Sequence, residues 1–404
     1  MKVLIFNTLY YPYQIGGAER SVQLLAESLN NGGDEVTVVT LHDGNKIEEI
    51  NHNGVNVIKF PLANFYWPWG YSKNGIIKLL WHIHDIYNVK MEKVVAEFLK
   101  NKNFDVVHTN NLCGFSVSAW HWATKQGFPI VHTARDYYLL NPNAKLFRKG
   151  KNHSPRTIDS LLFSLIKKKA ACKVTQFVGI SQYIKDLHVK NKFFENDISS
   201  VIYNSIAVQE SSAQRNRVYR YDNKIVLGYL GRIEDNKGIE ILLKSLEKAE
   251  DGIFNLLVAG KGDEKYISFL QGRYSKVNFE FVGTVNITDF FPDIDYLIVP
   301  SLWHEPFGRV VVEANSFGIP VIASNRGGIP EIIIENKTGF VFNADNENSL
   351  VELLHEIVKL DYKGYAAMSE SSFVFSRDFK SEKVMHEYKE IYNNAIKVNG
   401  NTNF

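Results

Sequence analysis

Two glutamates, Glu305 and Glu313, stand eight residues apart in the stretch Glu305-Pro306-Phe307-Gly308-Arg309-Val310-Val311-Val312-Glu313. Proline, an aromatic residue and glycine read as a loop that turns into a helix near Gly308. The first turn of such a helix carries backbone N–H groups without intrahelical partners at the positive end of the peptide dipole, which suits a diphosphate. A carboxylate one or two turns further along can accept two hydrogen bonds from a ribose diol. The spacing describes a nucleotide grip without a Walker loop. A lone pair of helix glutamates is more often solvated surface charge, so the flanking pattern carries the reading. Upstream, Gly231-Arg232-Ile233-Glu234-Asp235-Asn236-Lys237-Gly238 follows a strand-like run and opens a helix, bringing two cations toward the same end. Arg232 can fork onto phosphate oxygens and Lys237 adds a point charge; an exposed basic pair is the plainer alternative.

In the first half, Gly16-Gly17-Ala18-Glu19 follows the opening strand and starts a helix. Glycine permits close backbone approach and the helix start offers N–H donors to phosphate, although a Gly-Gly turn alone is more often plain turn chemistry. Asp105-Val106-Val107-His108-Thr109-Asn110-Asn111 and Ile130-Val131-His132-Thr133-Ala134-Arg135-Asp136 are strands that end in polar residues. His108 and His132 are candidates for substrate contact or proton transfer, and equally readable as hydrogen-bonded strand-end histidines. Arg135 can contact phosphate or stabilise a leaving group but cannot act as a base at neutral pH, and Asp136 can order it by an ion pair. His82, His84 and Asp85 read as ordinary helix residues, because side chains two apart do not share a helix face. No convincing metal-ligand cluster stands out, and no metal or resident cofactor is expected.

The elements that must position these residues follow from periodicity. A chain of 404 residues exceeds one comfortable core. Short apolar runs at 2–7, 35–40, 55–60, 105–109, 129–133 and 176–181 alternate with helical patterns, which predicts a parallel sheet with crossover helices. Ala18 to Asn30 carries Val22, Leu25 and Leu29 at helical spacing and stops at Asn31-Gly32-Gly33. The polar stretch Gln209 to Asn223 marks a domain boundary, giving domains 1–205 and 206–375. A second series follows: strands 224–230, 255–259, 278–282, 296–300 and 320–323 with helices 238–249 and 308–317. The last helix, about 380–397, has Val384, Tyr388, Ile391 and Tyr392 on one face and is predicted to return to the first domain. The fold class is α/β, with two doubly wound parallel sheets facing across a cleft that holds the site.

Pro300-Ser301-Leu302-Trp303-His304-Glu305-Pro306-Phe307-Gly308, then Glu313-Ala314-Asn315 and Gly318-Ile319-Pro320-Val321-Ile322-Ala323-Ser324, resemble the donor-site signature of retaining glycosyltransferases of the GT-B fold, family 4. Gly327-Gly328-Ile329-Pro330-Glu331 continues that pattern, and Gly16-Gly17-Ala18-Glu19 matches the family's Gly-Gly-x-Glu. The resemblance implies Glu305 beside the donor sugar, the amides of Phe307 and Gly308 on the diphosphate, Glu313 on the ribose, and Arg232 and Lys237 stabilising the departing nucleoside diphosphate. The co-substrate would be a UDP- or GDP-sugar. The family commonly has a His-Asp dipeptide just past the second polar-ended strand; here Arg135 precedes Asp136, which removes a histidine base from that position. A non-catalytic subunit that binds a nucleotide sugar is the alternative this departure leaves open.

Acceptor and location are read from two further segments. Asn64-Phe65-Tyr66-Trp67-Pro68-Trp69-Gly70-Tyr71 concentrates aromatic rings that can stack on a sugar, enter a membrane interface or simply be buried. From Lys145 to Lys173 there are nine Lys/Arg against one acid, Asp159, with Leu161, Leu162, Phe163, Leu165 and Ile166 between them. That composition resembles an interfacial basic amphipathic segment, or a solvated basic face over a core helix. A glycan or lipid-linked saccharide acceptor, as in bacterial surface polysaccharide assembly, is the expectation. The net charge of +2 gives no reason to expect nucleic acid. Cys113 and Cys172 read as buried thiols in a reducing compartment. No apolar run nears the ~20 residues that span a bilayer, so a cytoplasmic protein, at most peripheral on the membrane's inner face, is expected.

Overall fold

The computed structural model describes residues 1–13, 16–69, 74–207, 224–249 and 252–401. The chain packs as two compact units, one of Met1–Leu146, His153–Ser205 and Ser381–Phe404, the other of Phe147–Asn152 and Ile206–Lys380. The expected linker, Gln209 to Asn223, lies outside the described residues.

The first unit is built on eight strands. These are β1 (Lys2–Phe6), β2 (Glu35–His42), β3 (Glu48–His52), β4 (Val55–Pro61), β5 (Val106–Thr109) and β6 (Ile130–Ala134), then, past a hairpin of β7 (Phe147–Arg148) and β8 (Lys151–Asn152), β9 (Gln176–Gly179) and β10 (Ser199–Val201). The order is β10-β9-β6-β5-β1-β2-β4-β3, parallel except where β3 meets β4. β5 and β6 are buried at every position and β1 at all but its first, including the polar His108, Thr109, His132 and Thr133, as in a parallel sheet covered on both faces. Sequence reading missed β3: Glu48, Glu49 and Asn51 give it no apolar face, as suits an exposed edge.

The second unit is all parallel, in the order β13-β12-β11-β14-β15-β16. Its strands are β11 (Ile225–Leu230), β12 (Phe254–Ala259), β13 (Phe279–Gly283), β14 (Tyr296–Val299), β15 (Val321–Ser324) and β16 (Gly339–Phe342). The last is only four residues long and was not anticipated. Two departures from the expected domain limits appear: the β7–β8 hairpin packs with the second unit, and that unit continues through the helix Tyr362–Ser376 to Lys380. Both cysteines are free, and Cys172 is exposed rather than buried.

The helix Ser381–Asn401 belongs to the first unit and buries Val384, Met385, Tyr388 and Tyr392. Its two tyrosines end in polar contacts: Tyr392 Oη lies 2.8 Å from His108 Nδ1, and Tyr388 Oη 3.2 Å from Thr133 Oγ1. His108 Nε2 meets Thr133 Oγ1 at 2.8 Å, so both of its ring nitrogens are engaged in the core. Tyr392→Phe leaves one of them without a partner in a dry interior. It is expected to lower unfolding stability in urea by about 1–3 kcal/mol; an unchanged midpoint would refute the role given to this bond.

Candidate active site

In the second sheet β11 and β14 are neighbours from which the order runs outward in opposite directions, so the chains leaving their carboxyl ends diverge and open a crevice. After β11 the chain makes a short turn at Asp235–Lys237 and enters the helix Ile239–Lys248 through Gly238. Gly238 has φ +74°, and a Cβ there would lie 1.8 Å from the carbonyl oxygen of Pro300, the residue that follows β14. Glycine is what lets the two segments touch. The Asn236 carbonyl then accepts from Leu302 N at 2.9 Å and Trp303 N at 3.3 Å.

This approach brings Lys237 Nζ to 2.5 Å from Glu305 Oε1, with Ser301 Oγ donating to the same oxygen at 2.7 Å. The ammonium also lies 5.2 Å from the centroid of the Trp303 ring. On the far side Gly327 passes so close that a Cβ would fall 2.1 Å from the Glu305 carbonyl oxygen, and Gly328 N donates to that oxygen at 2.8 Å. The hairpin supplies a third brace: Asn152 Nδ2 donates to Leu302 O at 2.7 Å and its Oδ1 accepts from His304 N at 3.0 Å. Burial pushes the Glu305 carboxyl up, but the Lys237 charge and the hydrogen bonds from Lys237 and Ser301 outweigh it, holding it below the usual range. An ionised carboxylate with acceptor capacity to spare can fix hydroxyl groups, and the ammonium beside it can hold phosphate oxygen.

The other donor-side candidates divide. Glu313 is half-buried and ordered by Arg309, whose Nε donates at 2.6 Å one turn back. Phe307 turns its ring into the core, 6.1 Å from Phe379, so only its backbone can meet a ligand; Gly308 sits beside it, where the helix Arg309–Asn315 begins. Arg232 is exposed and pairs with Glu234 at 2.8 Å rather than with Glu305. It borders an open depression of about 540 Å³ shared with Lys261 and Tyr266. Asp295, just before β14, ties that strand to β11: its Oδ2 accepts from Val226 N at 2.8 Å.

In the first unit Gly16 and Gly17 are exposed at the start of the helix Gly17–Asn31, and Glu19 reaches back to Gly16 N at 2.9 Å. Burial raises the Glu19 carboxyl; its hydrogen bonds and the charge of Arg135 work against that. Arg135 is itself buried, with Nε donating to Asn110 Oδ1 at 2.7 Å and Nη1 to Asn204. His108 must be reassigned from candidate catalyst to core residue: it is fully buried, engaged at both nitrogens, and held neutral by burial with Arg135 nearby. His132 is likewise internal, 2.9 Å from Thr109 Oγ1 and pushed down to about 3 by burial.

Sequence reading missed a cavity of about 580 Å³ in this unit, lined by Glu19, Tyr66, Trp69, Asn111, Asp136 and Asn143 among others. It also misread Asp85, which is no ordinary helix residue. Asp85 is buried at a helix end, accepts from Gly114 N at 2.7 Å, and is pushed up to about 7 by burial despite Lys167. The aromatic run and the Lys167 position were the available signals for cavity and pair. Tyr71 and Gly70 of that run lie outside the described residues.

Comparison with known proteins now bears on this geometry. Residues 15–210 match the family model "Glycosyltransferase Family 4", and residues 210–373 match "Glycosyl transferases group 1". An uncharacterized 42.6 kDa protein in the cps region of Klebsiella pneumoniae is 40% identical over 333 residues, 82% of this chain and 87% of that protein. The chain belongs to glycosyltransferase family 4. Sucrose-phosphate synthase from Thermosynechococcus elongatus superposes with a TM-score of 0.76 at 17% identity, covering 98% of this chain and 99% of that one. Anabaena HepE in complex with UDP and glucose gives 0.69 at 19% identity over 96% and 98%. This glycosyltransferase has the GT-B fold.

Two outcomes are expected of its sites. Glu305→Gln removes the charge that Lys237 faces while keeping the shape, and should lower kcat for donor turnover by roughly 100-fold or more, with a lower melting temperature but an unchanged far-UV circular dichroism spectrum below it, because one partner of a half-buried ion pair is neutralised; turnover within a few-fold of wild type would refute the role. Asp136 is pushed up to about 6, burial outweighing the hydrogen bond from Tyr138 N and the charge of Lys167. A value raised above the unfolded one, about 3.9, contributes stability that is present below that value and lost as pH rises through about 6. Asp136→Asn should therefore gain stability relative to wild type between about pH 4.5 and pH 7.5 in urea unfolding. A difference that does not change with pH would contradict this.

Proposed function

We propose that this glycosyltransferase retains anomeric configuration and moves a sugar from a UDP- or GDP-sugar to a glycan or lipid-linked saccharide in bacterial surface polysaccharide assembly, on the cytoplasmic side of the cell membrane. The observation that carries the donor assignment is the Lys237–Glu305 pair at the switch point of the second sheet, 2.5 Å apart and braced from three sides. HepE, which shares the fold, binds UDP and glucose. The cps-region relative supports the polysaccharide setting.

In this reading Glu305 accepts hydrogen bonds from donor-sugar hydroxyls, and Glu313 does so from the ribose. The backbone N–H groups of Phe307 and Gly308 meet the diphosphate. The bond from the anomeric carbon to diphosphate oxygen breaks and the acceptor oxygen bonds that carbon on the same face. The acceptor proton passes to the leaving diphosphate oxygen. Negative charge grows on the diphosphate as it departs, and Lys237 with Arg232 neutralises it, which lowers the barrier directly. Arg135 cannot take a proton. The acceptor saccharide lies in the first unit's cavity, its ring on Tyr66 or Trp69 and its hydroxyls toward Glu19 and Asp136. No resident cofactor enters this scheme.

A thermal-shift panel of UDP-, GDP- and ADP-sugars tests the donor, because a ligand that binds only the folded state raises its melting temperature. One UDP- or GDP-sugar should stabilise wild type and lose most of that effect in Lys237→Ala. Proton NMR of the first product formed should show the donor's own anomeric configuration; inversion would overturn the mechanism.

A further inference from the structure

The helix Ile158–Ala171 is turned inside out. Its buried residues are Ser160, Ser164, Lys167, Ala170 and Ala171, whereas Leu161, Leu162, Leu165 and Ile166 are 43%, 62%, 60% and 50% exposed. Polar bonds lock this orientation: Lys167 Nζ donates to Tyr138 O at 2.8 Å and lies 3.5 Å from the centre of the Tyr138 ring, and Ser160 Oγ accepts from Asn141 Nδ2 at 3.0 Å. The helix Gly75–His84 behaves alike. Only Trp81 is buried, while Ile76, Leu79, Leu80 and Ile83 are at least 48% exposed. The two helices are neighbours, with the His82 ring 6.4 Å from Phe163, and the exposed Phe65 stands 5.5 Å from His84 at the end of the second.

Apolar side chains gathered outward over two adjacent helices exceed what a surface facing only water ordinarily shows. The charges among and beside them are of one sign: Lys78, Lys168, Lys169 and Lys173, against Asp159 alone in the two helices. A second copy of this face would bring lysines against lysines, whereas anionic headgroups complement them and the leucines enter the acyl boundary. The basic residues Arg148, Lys149 and Lys151, grouped with this segment by sequence, belong to the hairpin of the second unit and are not part of the face.

The same helix has a second side. Lys78, Trp81 and His82 line the first unit's cavity, and the Trp81 indole donates to Tyr66 O at 3.0 Å, tying that wall to the aromatic run. One helix thus separates the outward apolar face from the cavity.

We propose that the two-helix face of Gly75–His84 and Ile158–Ala171 seats the enzyme on an anionic bilayer, and that the cavity behind it takes an acceptor whose saccharide is anchored in that bilayer through a lipid. This deepens the acceptor assignment above and rests on it. The full-length protein should co-sediment with vesicles of phosphatidylcholine mixed with phosphatidylglycerol and much less with phosphatidylcholine alone. Leu162→Glu with Leu165→Glu should weaken that binding at least about tenfold, since two outward leucines that enter the acyl boundary are replaced by charges that anionic lipid repels. Donor hydrolysis, melting temperature and monomeric elution should be unchanged in that variant. Lys169→Glu should weaken binding to the mixed vesicles roughly fivefold or more. Transfer to a lipid-linked saccharide in vesicles should fall with the leucine pair, while transfer to its short-chain, water-soluble counterpart persists.

Wild type that ignores vesicles, or binds both compositions equally, overturns the proposal. So does a wild-type dimer that the leucine pair dissolves, because a second copy would then cover the face. A failure of the donor assignment shows differently: no sugar nucleotide would be hydrolysed, whatever the vesicles do.

Discussion

The close passage of Gly238 against the Pro300 carbonyl sets where Lys237 and Glu305 meet. Any side chain at position 238 would push the turn after β11 away from the loop after β14, and the 2.5 Å ion pair could not form. The Asn236 carbonyl, Gly327, Gly328 and Asn152 hold the same loop from other directions, so Glu305 is presented by a backbone with little freedom to relax. Preorganisation of this kind is what electrostatic catalysis draws on, because donors already in place need no reorganisation as charge develops. The parallel sheet supplies the reason for the location: its switch point is where two loops diverge and leave room for a ligand.

The two units treat buried carboxylates in opposite ways. At Glu305 a lysine and a serine hydroxyl more than offset the cost of burial, and the group stays ionised. At Asp136 and Asp85 desolvation prevails, and both are pushed up toward neutrality. An ionised carboxylate stays an acceptor at any pH near neutral, whereas a carboxyl near its midpoint can change its protonation with its occupant. Lys167 is pushed toward neutrality from the other side: burial lowers it, with the charge of Asp85 working against that. Its polar anchorage is also what turns the leucines of its helix outward.

Much of this was legible in the sequence. Unbroken apolar runs such as Val3-Leu4-Ile5-Phe6 announce strands buried on both faces, and their alternation with helical spacing announces parallel order. The edge strand Glu48–His52 was invisible because it buries nothing that periodicity could register. The donor-site candidates were legible as motifs, since Lys237, Glu305 and Glu313 sit at fixed offsets from glycines and helix starts. Arg232 shows the limit of that reading: its offset is right, yet its guanidinium pairs locally with Glu234.

Sequence by itself therefore determined most of the buried strands and their helices, the order of the two sheets along the chain and the residue types able to grip a nucleotide, because these depend on local periodicity and short spacings. Tertiary structure alone decided which of those residues stay accessible and which are sealed in the core. His108 and His132 carry the same strand-end pattern as a substrate contact, but burial and partners as distant as Tyr392 make them core. The cavity in the first unit gathers Glu19, Tyr66, Asn111 and Asp136 from four separate elements, which no window along the chain contains. The outward leucines of Ile158–Ala171 likewise follow from Lys167 finding Tyr138 and Asp85, a choice settled by desolvation of a charge in three dimensions rather than by the helix's own hydrophobic pattern.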